Sequence, residues 1–300
     1  MRSLLRLLAL PVLLPFAAAA QVVTGPLPAD PGRAASVLPA AKAGQRPAAL
    51  ALPFFEDFTS PQEGAPNATR WQAATTSYPY LGSTIRYAGG GAYVSNRLAV
   101  EPLTRGTATL DGLRGNGLPY APTQTTSGGQ TDTLTSQTID LSGLLASSNV
   151  YLSFAWQAGS VVGYPANSST RSPVNLTLEL LDNTGNWQSA WSYTSRGSST
   201  KFKQQILAVS AAYLHSAFRF RFRASGSRTD NSDAFGLDYI YLNRNRAAND
   251  TTFQDLATSR GLGNPLRPYT SLPVWQYNAA TTSATPPLNP GLTATVNSLT

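Results

Sequence analysis

The sequence predicts an all-β fold of two antiparallel sheets packed face to face, a β-sandwich or jelly roll. Three observations carry that expectation. Several segments alternate strictly between apolar and polar residues. Glycine and proline, at 24 and 22 residues, punctuate the chain between these segments. No stretch shows the 3.6-residue apolar period of a long amphipathic helix.

The alternation is cleanest in "AFRFRFRAS", where Phe218, Phe220 and Phe222 share one side and Arg219, Arg221 and Arg223 the other. Successive strand side chains point to opposite faces, so such a strand lays one face on a core and leaves the other polar. "VNLTLELL" repeats the pattern with Val174, Leu176, Leu178 and Leu180 against Asn175, Thr177 and Glu179. "NVYLSFAWQAGS" sets Leu152, Phe154 and Trp156 against Tyr151, Ser153 and Ala155. Shorter strand signals lie in "GGGAYVSNRLAV", "GTATLDGL", "TDTLTSQTIDLSG", "NWQSAWSY" and "KFKQQILAV", and "LAVSAAYLHSA" has room for one helical turn at most. The inner faces should be lined by Phe154, Trp156, Leu178, Leu180, Phe220 and Phe222.

Composition places this body outside the cell. "MRSLLR" is a basic start, "LLALPVLLPF" an apolar run, and "AAAA" a set of small residues for cleavage near Ala20 and Gln21. That is the layout of a secretory signal peptide, and the apolar run is short of the ~20 residues of a membrane-spanning helix. Export without membrane insertion follows, to a secreted or cell-surface location. Charged residues are only 12% of the chain, about half the usual share, so Ser, Thr, Asn and Gln must supply much of the polar surface. The division expected is a signal peptide over 1–20, a flexible Ala/Pro-rich leader over 21–51, the sandwich over 52–245, and a linker or partly ordered extension over 246–300.

The same composition excludes several chemistries. With no cysteine there is no disulfide framework, thiolate nucleophile or cysteine zinc site. With His215 as the single histidine, histidine-rich zinc catalysis is excluded. No G-x-S-x-G elbow is present. The formal charge of +7 arises from 22 basic and 15 acidic residues, and the basic residues form no block. A nucleic-acid partner is therefore not expected.

Two acidic sites resist the pattern. Asp238 stands between Leu237 and Tyr239 in the strand-like "DAFGLDYIYL", and Glu56 and Asp57 stand inside "FFEDF". An ionised carboxylate inside an apolar frame must be paired, hydrogen-bonded, protonated or metal-bound, unless it points to solvent. Adjacent strand residues face opposite ways, so at least one of Glu56 and Asp57 should look outward.

The ordered series "FFEDF", Trp71, "ATLDG", "DTLTSQTIDLSG", "VYLSFAWQAGS", "FRFRFRASG" and "AFGLDYIYL" resembles the MAM domain and its bacterial jelly-roll relatives. Similar modules occur in surface proteins that gliding bacteria export by the type IX route. The resemblance spans roughly residues 52–243. It implies a concanavalin-like jelly roll in which the first and last strands run side by side. It also implies a structural Ca²⁺ shared by Glu56, Asp57 and Asp238, with Asp111 as a further contributor. Two departures stand out. Animal MAM domains carry disulfides and this chain has none. Tyr239 occupies the place of the closing motif's second acid.

A non-catalytic adhesion or ligand-binding module, for extracellular glycan or protein ligands, is the leading expectation. The alternatives are a passive structural domain of a larger surface protein and an accessory domain of a secreted glycosidase or peptidase. Aromatic rings in loops stack on sugars, and the candidates are Tyr78, Tyr80, Tyr120, Tyr164 and Trp187. Trp71 and Trp156 are expected in the core.

Overall fold

The computed structural model describes residues 29–34, 48–60, 63–72, 75–80, 83–88, 91–125, 127–170, 172–251, 256–259, 266, 271, 273–280, 289 and 291–298. The proposed signal peptide lies outside them, as does most of the leader.

Strands form where the alternation placed them, and also at β2, β3, β13 and β14, where it did not. In chain order they are β1 (Phe54–Glu56), β2 (Thr75–Tyr80), β3 (Ser83–Ala88), β4 (Tyr93–Ser95), β5 (Thr107–Leu110), β6 (Gly128–Thr135), β7 (Tyr151–Ala158), β8 (Asn175–Leu181), β9 (Trp187–Thr194), β10 (Lys203–Ala208), β11 (Phe220–Ser227), β12 (Phe235–Asn243), β13 (Leu256–Thr258) and β14 (Val296–Ser298). Of two short helices, α1 (Pro31–Ala34) precedes β1 and α2 (Val274–Ala280) lies between β13 and β14. A single 3₁₀ turn at Ala211–Tyr213 is all the helix in "LAVSAAYLHSA".

The larger sheet runs β10-β7-β12-β5-β4 with β1 attached to β12, and the smaller runs β6-β11-β8-β9. From β5 to β12 the chain alternates between the sheets, except that β8 and β9 form a hairpin in the smaller one. The resulting orders, β5-β12-β7-β10 and β6-β11-β8-β9, are those of a jelly roll, and the pairs joining them are all antiparallel. The fold is thus a two-sheet antiparallel jelly-roll sandwich.

The core lies between the sheets. Phe154, Trp156, Leu178, Leu180, Phe220 and Phe222 are all buried there, joined by Phe54, Trp71, Phe218 and Phe235. Phe54, Trp71 and Phe220 meet edge to face with ring centroids 5.4–5.7 Å apart. Phe154 meets Phe222 from the opposite sheet at 4.8 Å. Edge-to-face rings contribute about 0.5–1.5 kcal/mol per pair beyond burial.

The first and last strands of the sandwich do lie together. β1 pairs with β12 in the register Phe54↔Leu242, Phe55↔Tyr241, Glu56↔Ile240. Along the same edge of β12, the earlier residues Phe235–Leu237 pair with β5 instead. The change of partner falls at Asp238 and Tyr239. There the register against β7 also slips, from Asp238↔Ala155 to Tyr241↔Ser153, a β-bulge. Tyr239 takes the left-handed backbone (φ 48°), and its ring packs on Phe55 at 4.9 Å.

Asp238 makes the bulge stable. It is fully buried, and its Oδ1 accepts the Tyr239 N–H at 2.7 Å. Its Oδ2 accepts the Thr104 N–H at 3.1 Å, and the Thr104 hydroxyl lies 3.0 Å from Oδ2 and 3.1 Å from Oδ1. That hydroxyl also lies 2.9 Å from the Asp57 carbonyl oxygen, tying in the chain just past β1. One carboxylate thus joins β12, the loop before β5, and β1.

The outer face of the larger sheet is covered in part. Its residues Thr107, Thr109, Ser153, Ala155 and Gln157 are buried, while Gln204, opposite Ala155 on β10, is exposed. Gln157 binds the loop 96–106 in both directions, accepting the Val100 N–H and donating to the Val100 carbonyl, each at 2.9 Å. Asn297, in the middle of β14, donates to the carbonyls of Pro102 and Leu103 in the same loop.

Asp30 and Arg33, inside the segment read as a flexible leader, are buried against the sandwich. Specific polar contacts hold this segment, and it has no apolar pattern for sequence reasoning to detect. In the extension, β13 pairs with β14.

Replacing Asp238 by Ala strands the Thr104 and Tyr239 N–H donors in a buried site. We expect a loss of about 3 kcal/mol, seen as a fall of roughly 6–12 °C in Tm by calorimetry. Asp238→Asn keeps an acceptor at only one of the two oxygens and should lose about half as much; a wild-type melt for both variants would refute this role.

Candidate functional site

The four carboxylates expected to share Ca²⁺ are divided among separate partners. Glu56 accepts the Trp71 indole N–H at 2.9 Å and the Phe58 N–H at 3.0 Å, with Arg70 at 3.4 Å. Asp57, half-buried, accepts the Thr59 N–H at 3.1 Å. Asp238 is held by Thr104 and Tyr239. Asp111 faces Arg33 and accepts the Leu113 N–H at 2.8 Å. Calcium needs six to eight oxygens converging on one point. Among the described residues no group of three or more His, Asp or Glu converges in that way. These residues do not fit the ion, and the proximity of Asp57 to Asp238 is mediated by Thr104 instead.

Sequence reasoning found the unusual acids but not their donors. Thr104 stands in a loop without pattern, and Arg33 lies far upstream. The pairing of Glu56 with Trp71 did have a signal, since both belong to the ordered motif series.

Buried electrostatics concentrate at Asp111 and Asp132. Asp132 accepts the Asp111 N–H at 2.8 Å, the Gly91 N–H at 3.2 Å and the Tyr120 hydroxyl at 2.5 Å. Burial, with the like charge of Asp111 beside it, holds the Asp132 carboxyl well above the usual carboxylate range. Burial does the same to Asp238, opposed by its hydrogen bonds from Tyr239 and Thr104.

The aromatic candidates separate. Tyr120 is fully buried with its hydroxyl on Asp132, so it belongs to the core and offers no surface to a ligand. Tyr164 is 61% exposed. Tyr78 and Tyr80 lie on β2, which pairs with β3; their side chains fall outside the described residues. Trp187, at the start of β9 opposite Leu181, is half-buried, and the Arg221 guanidinium sits 4.2 Å from its ring centre.

Trp187 opens onto the outer face of the smaller sheet. The polar sides of β11 and β8 meet there in the register Arg221↔Glu179, Arg223↔Thr177, Ser225↔Asn175. Glu179 receives Arg221 at 2.5 Å and Arg223 at 2.9 Å. Arg223 also donates to Gln130 on β6 at 2.7 Å. Arg219, one step further along, lies 5.9 Å from the Trp187 ring. Three arginines against one glutamate leave this face cationic. Its polar heads remain within reach of solvent, with the Arg221 and Arg223 side chains 24% and 34% exposed. His215 sits apart, its Nε2 3.0 Å from the Leu181 carbonyl oxygen.

No family model and no curated relative matches the sequence, so the MAM resemblance rests on its motifs. Among solved structures, the MgGH51 α-L-arabinofuranosidase aligns at 15% identity and a TM-score of 0.36, over 66% of this chain and 26% of that one. The CBM22-1 xylan-binding domain of Paenibacillus barcinonensis Xyn10C aligns at 12% and 0.32, over 67% of this chain and 99% of that one. The K3 cleaved adhesin domain of Lys-gingipain from Porphyromonas gingivalis aligns at 12% and 0.32, over 63% and 96%. These are distant likenesses, and the fold assignment rests on the strand order itself. No helix among the described residues is long and apolar enough to cross a membrane.

The two buried acids give stability a definite pH dependence. Their folded-state pKa values lie above the unfolded value of about 3.9, so their contribution is complete below pH ~4 and is lost as pH rises through the raised values, by up to about 1.4 kcal/mol per unit and group. Asp132→Asn removes one such group. The stability advantage of wild type over this variant should be largest near pH 4 and shrink toward pH 8 in urea melts; parallel curves would contradict it.

Proposed function

We propose that this protein is a secreted, non-catalytic glycan-binding module, and that the outer face of the smaller sheet is its binding surface. The observation that carries the reading is the contrast between the two outer faces. One is largely buried, with the loop 96–106 tied to Gln157 and Asp238, while the other presents Trp187, Arg219, Arg221, Arg223, Glu179 and Gln130 in a linked polar array. Sugars are bound by an apolar ring face together with fixed polar groups that meet the hydroxyls. Here the polar groups are held by one another, so little side-chain freedom remains to be lost on binding. Glu179 is engaged by two arginines, which suits a hydrogen-bond acceptor better than a proton donor. The reading of export rests on the residue pattern over 1–20, and an accessory place beside a catalytic domain or a role in surface adhesion is consistent with it.

Affinity electrophoresis through neutral and uronate-bearing polysaccharides tests the proposal. Wild type should be retarded by at least one glycan, more strongly by anionic ones, and less as salt is raised. Trp187→Ala should weaken that retardation about tenfold, or ~1.4 kcal/mol, with Tm little changed. Retardation by none of the glycans would favour a passive structural domain.

A further inference from the structure

The segment 29–34 makes one backbone hydrogen bond to the sandwich, from the Asp30 N–H to the Gly117 carbonyl at 2.8 Å. What anchors it is side-chain chemistry. Arg33 is fully buried. Its guanidinium forms a two-pronged pair with Asp111, one nitrogen at 3.1 Å from Oδ1 and the other on Oδ2, and it reaches the Leu113 carbonyl at 3.4 Å. It lies 4.6 Å from the centre of the Tyr93 ring. Asp132 stands behind Asp111 and adds a second buried carboxyl. Planar, two-pronged pairing over an aromatic face is the geometry that selects guanidinium over ammonium.

The rest of the segment is read as well. Asp30 turns its carboxylate to Arg97 at 2.8 Å and caps the Gly32 N–H at 3.0 Å. Glu63 fixes Arg97 from the other side at 2.8 Å. Gly117 (φ +77°) is shaped for this contact: a Cβ there would stand 2.0 Å from the Asp30 carbonyl oxygen. A Cβ on Gly32 would press at 3.1 Å on both Arg97 and the Asp30 side chain. Without the arginine, Asp111 and Asp132 would share a buried site with no cation between them, an arrangement that costs several kcal/mol.

We propose that the groove formed by Tyr93, Arg97, Asp111, Gly117 and Asp132 is a docking site for an Asp-Pro-Gly-Arg segment, which this chain fills with its own residues 30–33. The segment is an internal ligand. When it is withdrawn, the groove accepts the same motif from a second chain, the guanidinium entering first-choice contact with Asp111 and the aspartate with Arg97. The site is independent of the Trp187 face.

The test uses the full chain with Arg33→Ala and a fluorescent peptide of residues 27–36, LPADPGRAAS. Wild type, whose groove is filled, should leave peptide anisotropy unchanged. The variant should melt lower, bind the peptide, and recover Tm as peptide is added. Peptides with lysine at position 33 or alanine at position 30 should bind at least about tenfold more weakly. Should Arg33→Ala fail to fold, Arg33→Lys keeps a cation beside the two acids and serves in its place, with the same peptide ranking expected. Equal binding by wild type and variant, no binding by the variant, or no preference for arginine over lysine would each overturn the proposal.

Discussion

One carboxylate governs how this sandwich closes. β12 has a single edge facing β5 and β1, and it serves both by changing partner halfway. A change of partner needs an interruption of the ladder, and an interruption inside a protein exposes N–H groups that must be satisfied. Asp238 satisfies the one on Tyr239, and through the N–H and hydroxyl of Thr104 it binds the loop before β5. Burial raises the cost of its charge, and the hydrogen bonds offset that cost.

That choice divides the molecule into a closed side and an open one. On the closed side, buried polar groups such as Gln157 and Asp238 are consumed in holding the loop 96–106. On the open side the polar groups are consumed by each other, in the Arg221–Glu179–Arg223–Gln130 chain, and keep their outer edges in water. The first arrangement adds stability and uniqueness. The second costs side-chain freedom for the modest return of half-exposed ion pairs. That contrast is what the proposed binding role of this face rests on.

Much of this was legible from the residues. Period-two alternation located β7, β8 and β11 and named the residues between the sheets, because burial of one strand face leaves no other pattern. Motif order correctly brought β1 beside β12. What escaped was everything set by single polar contacts across long separations. Asp238 was conspicuous, but its partner Thr104 sits 134 residues away in a loop with no period. Arg33 was hidden in an Ala/Pro-rich stretch whose composition reads as unstructured, and one side chain decides its fate. Tyr120 shared its residue type with the loop aromatics, and only the placement of Asp132 separates a core tyrosine from an exposed one. The β2–β3 hairpin carried too weak an alternation to be noticed.

The antiparallel pairing of Phe54 with Leu242 has an architectural corollary. The strands that open and close the β body are immediate neighbours, so Phe54 and Leu242 meet at one edge, while residues 29–34 and β14 pack back onto the body from either side of that span. Such a body can be grafted into a surface turn of another protein, or strung in series with others, without stretching its host.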